Sequence, residues 1–182
     1  ELNSTLSNLF ADATYEMSNP VFNKMSGKNI DIVLLNNGGI RSIISKGNIS
    51  EKTAFELMPF ENSIVVLELS GLSIIKMIDY LRKVKLQHPI SGLQITLNNE
   101  YSVNEVKING VSIENEKKYY VATTDYLLEG GDKMYFLAET TKTTDINYKM
   151  RDILIDYFKK YDTLKLKSDN RFIRTKWIEK PF

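Results

Sequence analysis

Ile30-Asp31-Ile32-Val33-Leu34-Leu35-Asn36-Asn37-Gly38-Gly39-Ile40-Arg41 joins an apolar run to a polar, glycine-rich turn. The run Ile30–Leu35 reads as a buried strand. Two glycines at a strand end permit positive φ and a close approach of backbone to a ligand. Arg41 offers a planar fork of donors for phosphate or carboxylate. A second segment, Thr123-Thr124-Asp125-Tyr126-Leu127-Leu128-Glu129-Gly130-Gly131-Asp132, repeats the order of strand, double glycine and charge. Two such turns point to one shared ligand site.

The sequence around these turns has 182 residues, enough for a single domain with its own core but not for a second full catalytic domain. With 24 basic and 23 acidic residues the net charge is +1, which argues against a nucleic acid polymer as partner while leaving a single nucleotide open. Ten Tyr and eight Phe supply rings for a core or for stacking. The chain has no Cys, which excludes disulfides, thiol nucleophiles and cysteine metal sites. One His and no Cys argue against a two-metal hydrolase centre within the chain. No spacing suits an EF-hand, and no apolar run approaches the roughly 20 residues of a membrane span. His88, in Leu86-Gln87-His88-Pro89, reads as a solvated loop residue. The opening residue is Glu1 and not Met, consistent with a leader removed or sequence left upstream.

Hydrophobic spacing predicts a helix over Asn3–Met17, capped by Asn3 or Ser4 and ended by Pro20, with Leu6, Leu9, Phe10, Ala13 and Met17 on its buried stripe. A short helix follows Ser50, and Pro59 forces a sharp exit from it. Strands are predicted at Ser63–Leu69, Gly92–Leu97 and Tyr119–Thr123, and a hairpin at Val103–Ile108 and Val111–Ile113 turns on Asn109-Gly110. A helix starting at Ser70-Gly71 buries Ile74, Ile75, Ile78 and Leu81. Glu139–Thr144 reads as a surface loop, Asp145 as the cap of a last helix carrying Met150, Ile153, Leu154, Tyr157 and Phe158, and Phe172–Ile178 as a closing strand. Hairpins without regular βα alternation favour an α+β fold, a mixed β-sheet packed with helices, as one domain over residues 1–182.

Four local signals carry candidate chemistry. Asn36 and Arg41 flank the first glycine turn, Phe60 follows Pro59, Tyr126 precedes the second turn, and Asp132 closes it. An Asn side chain pairs with a base edge, two rings sandwich a flat heterocycle, a carboxylate accepts from a ribose diol, and an Arg holds phosphate. Each residue taken alone has a plainer reading: a tight turn, a surface charge, a core ring, a cap.

Taken in order, Asn-x-Gly-Gly-Ile-Arg, Pro59-Phe60-Glu61-Asn62, Ser70-Gly71-Leu72, a Tyr-x-Val-Ala-Thr pattern near Tyr120–Thr124, and Gly130-Gly131-Asp132 resemble the C-terminal, substrate-binding domain of the 5′-nucleotidase family. Asn8-Leu9-Phe10-Ala11-Asp12-Ala13 is similar to that family's opening helix, so the resemblance runs from about residue 3 to about 178. It implies an α+β domain that binds the nucleotide: Phe60 and Tyr126 stacking on the base, Asn36 contacting it, Arg41 reaching phosphate, Asp132 holding the ribose hydroxyls, and Gly38, Gly39, Gly130 and Gly131 shaping the turns. It places catalysis, two divalent metal ions and a His–Asp pair in a separate metallophosphatase domain or chain, so no catalytic residue, metal or cofactor is assigned here. It also implies nucleotide catabolism and an extracytoplasmic setting, periplasmic or cell-surface.

The sequence departs from the family pattern at several points. An Arg often found before the first helix has no counterpart in Glu1-Leu2-Asn3. Ser7 stands for a usual Gly, Asn37 for the first glycine of a triple, Tyr126 for a common Phe, and Lys133 for the Gly that commonly follows Gly-Gly-Asp. These readings converge on a substrate-recognition domain whose isolated chain is inactive; the alternative is a stand-alone nucleotide or nucleoside-binding module.

Overall fold

Alternation in the apolar run Ile30–Leu35 dictates the layering. In the computed structural model, which describes residues 2–175, Ile32 and Leu34 enter one hydrophobic cluster, and Val33 and Leu35 enter another on the opposite face. A strand buried on both faces reads as a continuous apolar run. In chain order the elements are α1 (Thr5–Ser26), β1 (Ile32–Leu34), α2 (Glu51–Leu57), β2 (Ser63–Ser70), α3 (Gly71–Val84), β3 (Ile90–Ser91), β4 (Leu93–Leu97), β5 (Val103–Ile108), β6 (Val111–Ser112), β7 (Lys118–Thr124), α4 (Asp125–Leu128), β8 (Lys142–Lys149), α5 (Met150–Lys160) and β9 (Phe172–Arg174). Three short 3-10 turns lie at Asn37–Gly39, Gly131–Lys133 and Tyr135–Glu139.

A five-stranded mixed sheet runs β3-β1-β7-β2-β8, and a four-stranded sheet runs β6-β5-β4-β9. Helices α1, α2 and α5 cover one face of the larger sheet through Phe10, Phe22, Ala54, Leu57, Ile153 and Leu154. Helix α3 and the smaller sheet cover the other through Ile74, Met77, Leu81, Leu93, Ile95 and Phe172. The α+β class with a mixed sheet packed by helices is therefore as the sequence indicates. The Asn109-Gly110 hairpin forms with both turn residues at positive φ, 49° and 81°, as a type I′ turn requires.

Several sequence expectations change. Helix α1 does not stop near Pro20 but runs to Ser26. Pro20 is exposed, so the helix carbonyl that it leaves without a donor need not be buried, and Phe22 anchors the last turns in the core. Of the two possible caps, Ser4 accepts from the Ser7 amide. The segment from Lys142 is not loop, and Asp145 caps no helix. Lys142–Lys149 is β8, an edge strand on β2, and α5 begins only at Met150. Its polar run hid it, because an edge strand buries little. On α3, Met77 takes the buried place assigned to Ile75, which is 44% exposed. The closing strand is Phe172–Arg174; the remainder of that expected strand, past 175, lies outside the described residues.

Asp12, from the opening motif, closes the structure between its ends. It accepts both terminal nitrogens of Arg171 at 2.8 and 2.9 Å and the Ser91 hydroxyl at 3.0 Å. Arg171 also donates to the Ile90 carbonyl and to Asp169. Arg171→Ala would leave two carboxylates and a carbonyl without their shared donor. A loss of about 2 kcal/mol is expected in denaturant unfolding at pH 7, less than for a fully buried pair because both carboxylates stay partly in water. The guanidinium bond holds the Asp169 carboxyl below its usual range. That stabilisation is present above the unfolded value of about 3.9 and is lost as pH falls through the lower folded value. The difference between wild type and variant should shrink in acid; equal stability at pH 7 would refute the clamp.

Candidate functional site

The register of β7 gathers the site. β1 lies parallel to β7, with Val33 opposite Ala122, and β2 lies antiparallel, with Ile64 opposite Thr124. The exits of β1 and β7 and the entrance of β2 therefore share one end of the sheet. The first glycine turn, the Phe60 loop and the second glycine turn hang from those three strand ends.

In the first turn, Asn36 precedes a single 3-10 turn. Gly38 and Gly39 do not adopt positive φ there, contrary to the expectation for them. Gly39 instead leaves space for the Asn36 side chain: a Cβ on Gly39 would lie 3.1 Å from Asn36 Oδ1. The amide of Arg41 donates to the Leu57 carbonyl at 2.9 Å, and its guanidinium donates to the Gly38 carbonyl at 3.3 Å. That guanidinium lies 5.8 Å from the centre of the Phe60 ring. The first turn and the aromatic loop are thus joined through one residue.

The Phe60 loop leaves α2 at Met58, whose φ of −135° and ψ of 79° lie outside the helical region, as a following Pro demands. Lys149 and Arg151 both bind the Glu61 carboxylate, and Arg151 also reaches the Pro59 carbonyl at 3.4 Å. The bond from Lys149, then that from Arg151, holds the Glu61 carboxyl down to about 2, so it stays charged at any physiological pH. The Asn62 side chain and the Ser63 amide donate to the two oxygens of Asp125, at 3.0 and 3.1 Å. Phe60 projects between these anchors and is 43% exposed.

Positive φ belongs to the second turn: 95° at Gly130, 50° at Asp132 and 60° at Lys133. Gly131 serves proximity, because a Cβ there would lie 2.6 Å from Tyr126 Cζ. Tyr126 is 42% exposed, and its hydroxyl donates to Asp132 Oδ1 at 3.0 Å. That bond raises the phenol's pKa and keeps it a neutral donor. The hydroxyl that distinguishes Tyr126 from the common Phe therefore engages one oxygen of the carboxylate assigned to ribose.

The sequence reading missed the residues beneath the turns. His88 is not solvated; it is 2% exposed, and its Nδ1 accepts the Asn37 amide at 3.1 Å. Tyr80, on α3, stacks obliquely on His88 at 5.9 Å and donates to the Asp132 carbonyl at 2.8 Å. No local signal in Leu86-Gln87-His88-Pro89 could have found them, because the partners Asn37 and Tyr80 are distant in sequence. Among the described residues no group of three or more His, Asp or Glu side chains converges as a metal site, and no helix is long and apolar enough to cross a membrane.

The 5′-nucleotidase C-terminal domain profile matches residues 2–139. UshA of Escherichia coli is 31% identical over 115 residues, which are 60% of this chain and 20% of UshA. A cell wall protein of Listeria monocytogenes, Lmo0130, is 31% identical over 144 residues, 71% of this chain and 18% of that protein. The chain thus spans about a fifth of the length of these relatives. In fold it is similar to a 5′-nucleotidase precursor from Thermus thermophilus, with a TM-score of 0.81 at 24% identity, covering 98% of this chain and 36% of that one. Motif order, architecture and profile agree: the chain belongs to the 5′-nucleotidase C-terminal domain family.

Proposed function

We propose that this chain recognises the nucleoside part of a nucleotide for a phosphoester hydrolase. The observation that carries the reading is the pair of half-exposed rings, Phe60 and Tyr126, on adjoining strand ends, with the Asp132 carboxylate bonded to Tyr126. Exposed rings on a tightly anchored loop and turn cost little entropy on binding and offer π-faces to a base. Asn36 supplies a donor and an acceptor for the base edge. Asp132 accepts from the ribose hydroxyls with the oxygen that Tyr126 leaves open. Arg41, beside Phe60, reaches toward phosphate. Gly38, Gly39, Gly130 and Gly131 keep side chains out of the cradle.

Catalysis falls to a metallophosphatase domain, upstream or on another chain, whose two divalent metals activate water while these residues hold the substrate in place. Nucleotide catabolism is the resulting role. The family profile and the name of the Thermus relative support a nucleotidase. The name of the Listeria relative supports a setting outside the cytoplasm.

Titration calorimetry with adenosine, AMP and UMP tests the cradle. Phe60→Ala should lose about 1–3 kcal/mol of binding, roughly five- to 150-fold in Kd. Equal affinity would remove Phe60 from the site. In a separate assay, the isolated chain should release no phosphate from AMP with Mg²⁺, Mn²⁺ or Zn²⁺ added. Chelator-sensitive release by the pure chain would overturn the division of labour.

A further inference from the structure

Beneath the two glycine turns lies a continuous strut that the reading above leaves unused. It begins at Asn37, which stands where the family pattern has a glycine. The Asn37 amide donates to His88 Nδ1 at 3.1 Å, and its side chain donates to the Gln87 carbonyl at 3.2 Å. The His88 ring packs on Tyr80 at 5.9 Å, Tyr80 packs on Phe136 at 5.6 Å, and the Tyr80 hydroxyl holds the Asp132 carbonyl at 2.8 Å. Asp132 in turn receives the Tyr126 hydroxyl. First turn and second turn are therefore tied through two stacked rings, independently of the sheet.

We propose that His88 is a positioning residue of the substrate site: its neutral imidazole fixes the Asn36–Arg41 turn and, through Tyr80, sets the spacing of that turn from Gly130–Asp132. This rests on reading the two turns as one nucleoside cradle. An Nδ1 that accepts a hydrogen bond carries no proton, so the neutral ring is protonated at Nε2, which is buried without a partner among the described residues. A second proton must enter at Nδ1. There it would set an N–H against the Asn37 N–H, and the nearby Leu35 carbonyl is the acceptor toward which the new donor would turn. The bond that pins the first turn would then be lost.

Among the described residues, the polar and charged groups that act on the ring are the Asn37 amide from the first turn, the Tyr80 ring from α3, the Asp132 charge from the second turn and the Leu35 carbonyl at the exit of β1. Burial is the strongest influence and lowers the pKa of His88, while Leu35 and Asp132 act against it. The folded state therefore resists protonation that the unfolded chain accepts near 6.5. The stabilising strut is intact above that value and weakens as pH falls through the lower folded one.

Adenosine binding to the full chain by calorimetry at pH 7.5 and 5.0 tests this with two variants. Asn places an oxygen near the position of Nδ1 but does not titrate, whereas Leu fills the space and accepts nothing. Expected at pH 7.5 are affinity within about threefold of wild type for His88→Asn and about tenfold weaker for His88→Leu. Wild type should weaken toward pH 5.0 to the extent that nuclear magnetic resonance finds His88 protonated there, and His88→Asn should not. Equal affinity and equal pH response in all three proteins would overturn the proposal, as would His88→Asn failing like His88→Leu. If wild type binds no adenosine at either pH, it is the cradle reading that fails. Nuclear magnetic resonance of the ligand-free protein then decides the strut: the Asn37 and Asp132 amides should shift together with the His88 titration in wild type, and an unmoved Asp132 amide would refute it.

Discussion

The molecule depends on β7 lying between a parallel neighbour, β1, and an antiparallel one, β2. Only that arrangement brings the exits of two strands and the entrance of a third to the same end of one sheet. It also requires the central strands to be apolar on both faces, because helices α1, α2 and α5 cover one side and helix α3 with the second sheet covers the other. A one-residue slip of β1 would send Val33 and Leu35 to the wrong cluster and carry the first turn away from the second. Register is therefore the physical link between core packing and the candidate site.

The three segments at that sheet end are held by different means, and each matches its task. The first turn is short and pinned through its own amides, which donate to the Leu57 carbonyl and the His88 imidazole. The aromatic loop is stretched between ionic anchors at the end of β8 (Lys149) and the start of α5 (Arg151) and the Asp125 carboxylate. The second turn accepts three residues at positive φ, a local cost that persists because Tyr80 and Tyr126 fix it from both sides. Left accessible to solvent at this end are the Phe60 and Tyr126 rings, the half-buried Asn36 side chain and the exposed Arg41, the groups that the proposed function assigns to the ligand.

Much of this was legible because it is local. The run Ile30–Leu35, the Ser70-Gly71 helix start and the Asn109-Gly110 hairpin are each decided by a few neighbouring residues. So are the glycine turns, although neither Gly38 nor Gly39 takes the positive φ expected of it, and at Gly39 room for the Asn36 side chain is at stake instead. What stayed hidden is nonlocal. The role of His88 arises from Asn37, 51 positions earlier, and nothing in Leu86-Gln87-His88-Pro89 announces it. β8 was masked by a polar composition that suits an edge strand, and α1 continued past Pro20 because Phe22 is packed by distant elements.

The central claim is that a nucleoside base lies between the ring of Phe60 and the ring of Tyr126, with its ribose on Asp132. The most direct measurement is a crystal structure of the chain with adenosine bound. The account requires adenine stacked between those two rings and a ribose hydroxyl within hydrogen-bond distance of the Asp132 carboxylate. Adenosine seated elsewhere, or two rings held too far apart to touch the same base, would contradict it.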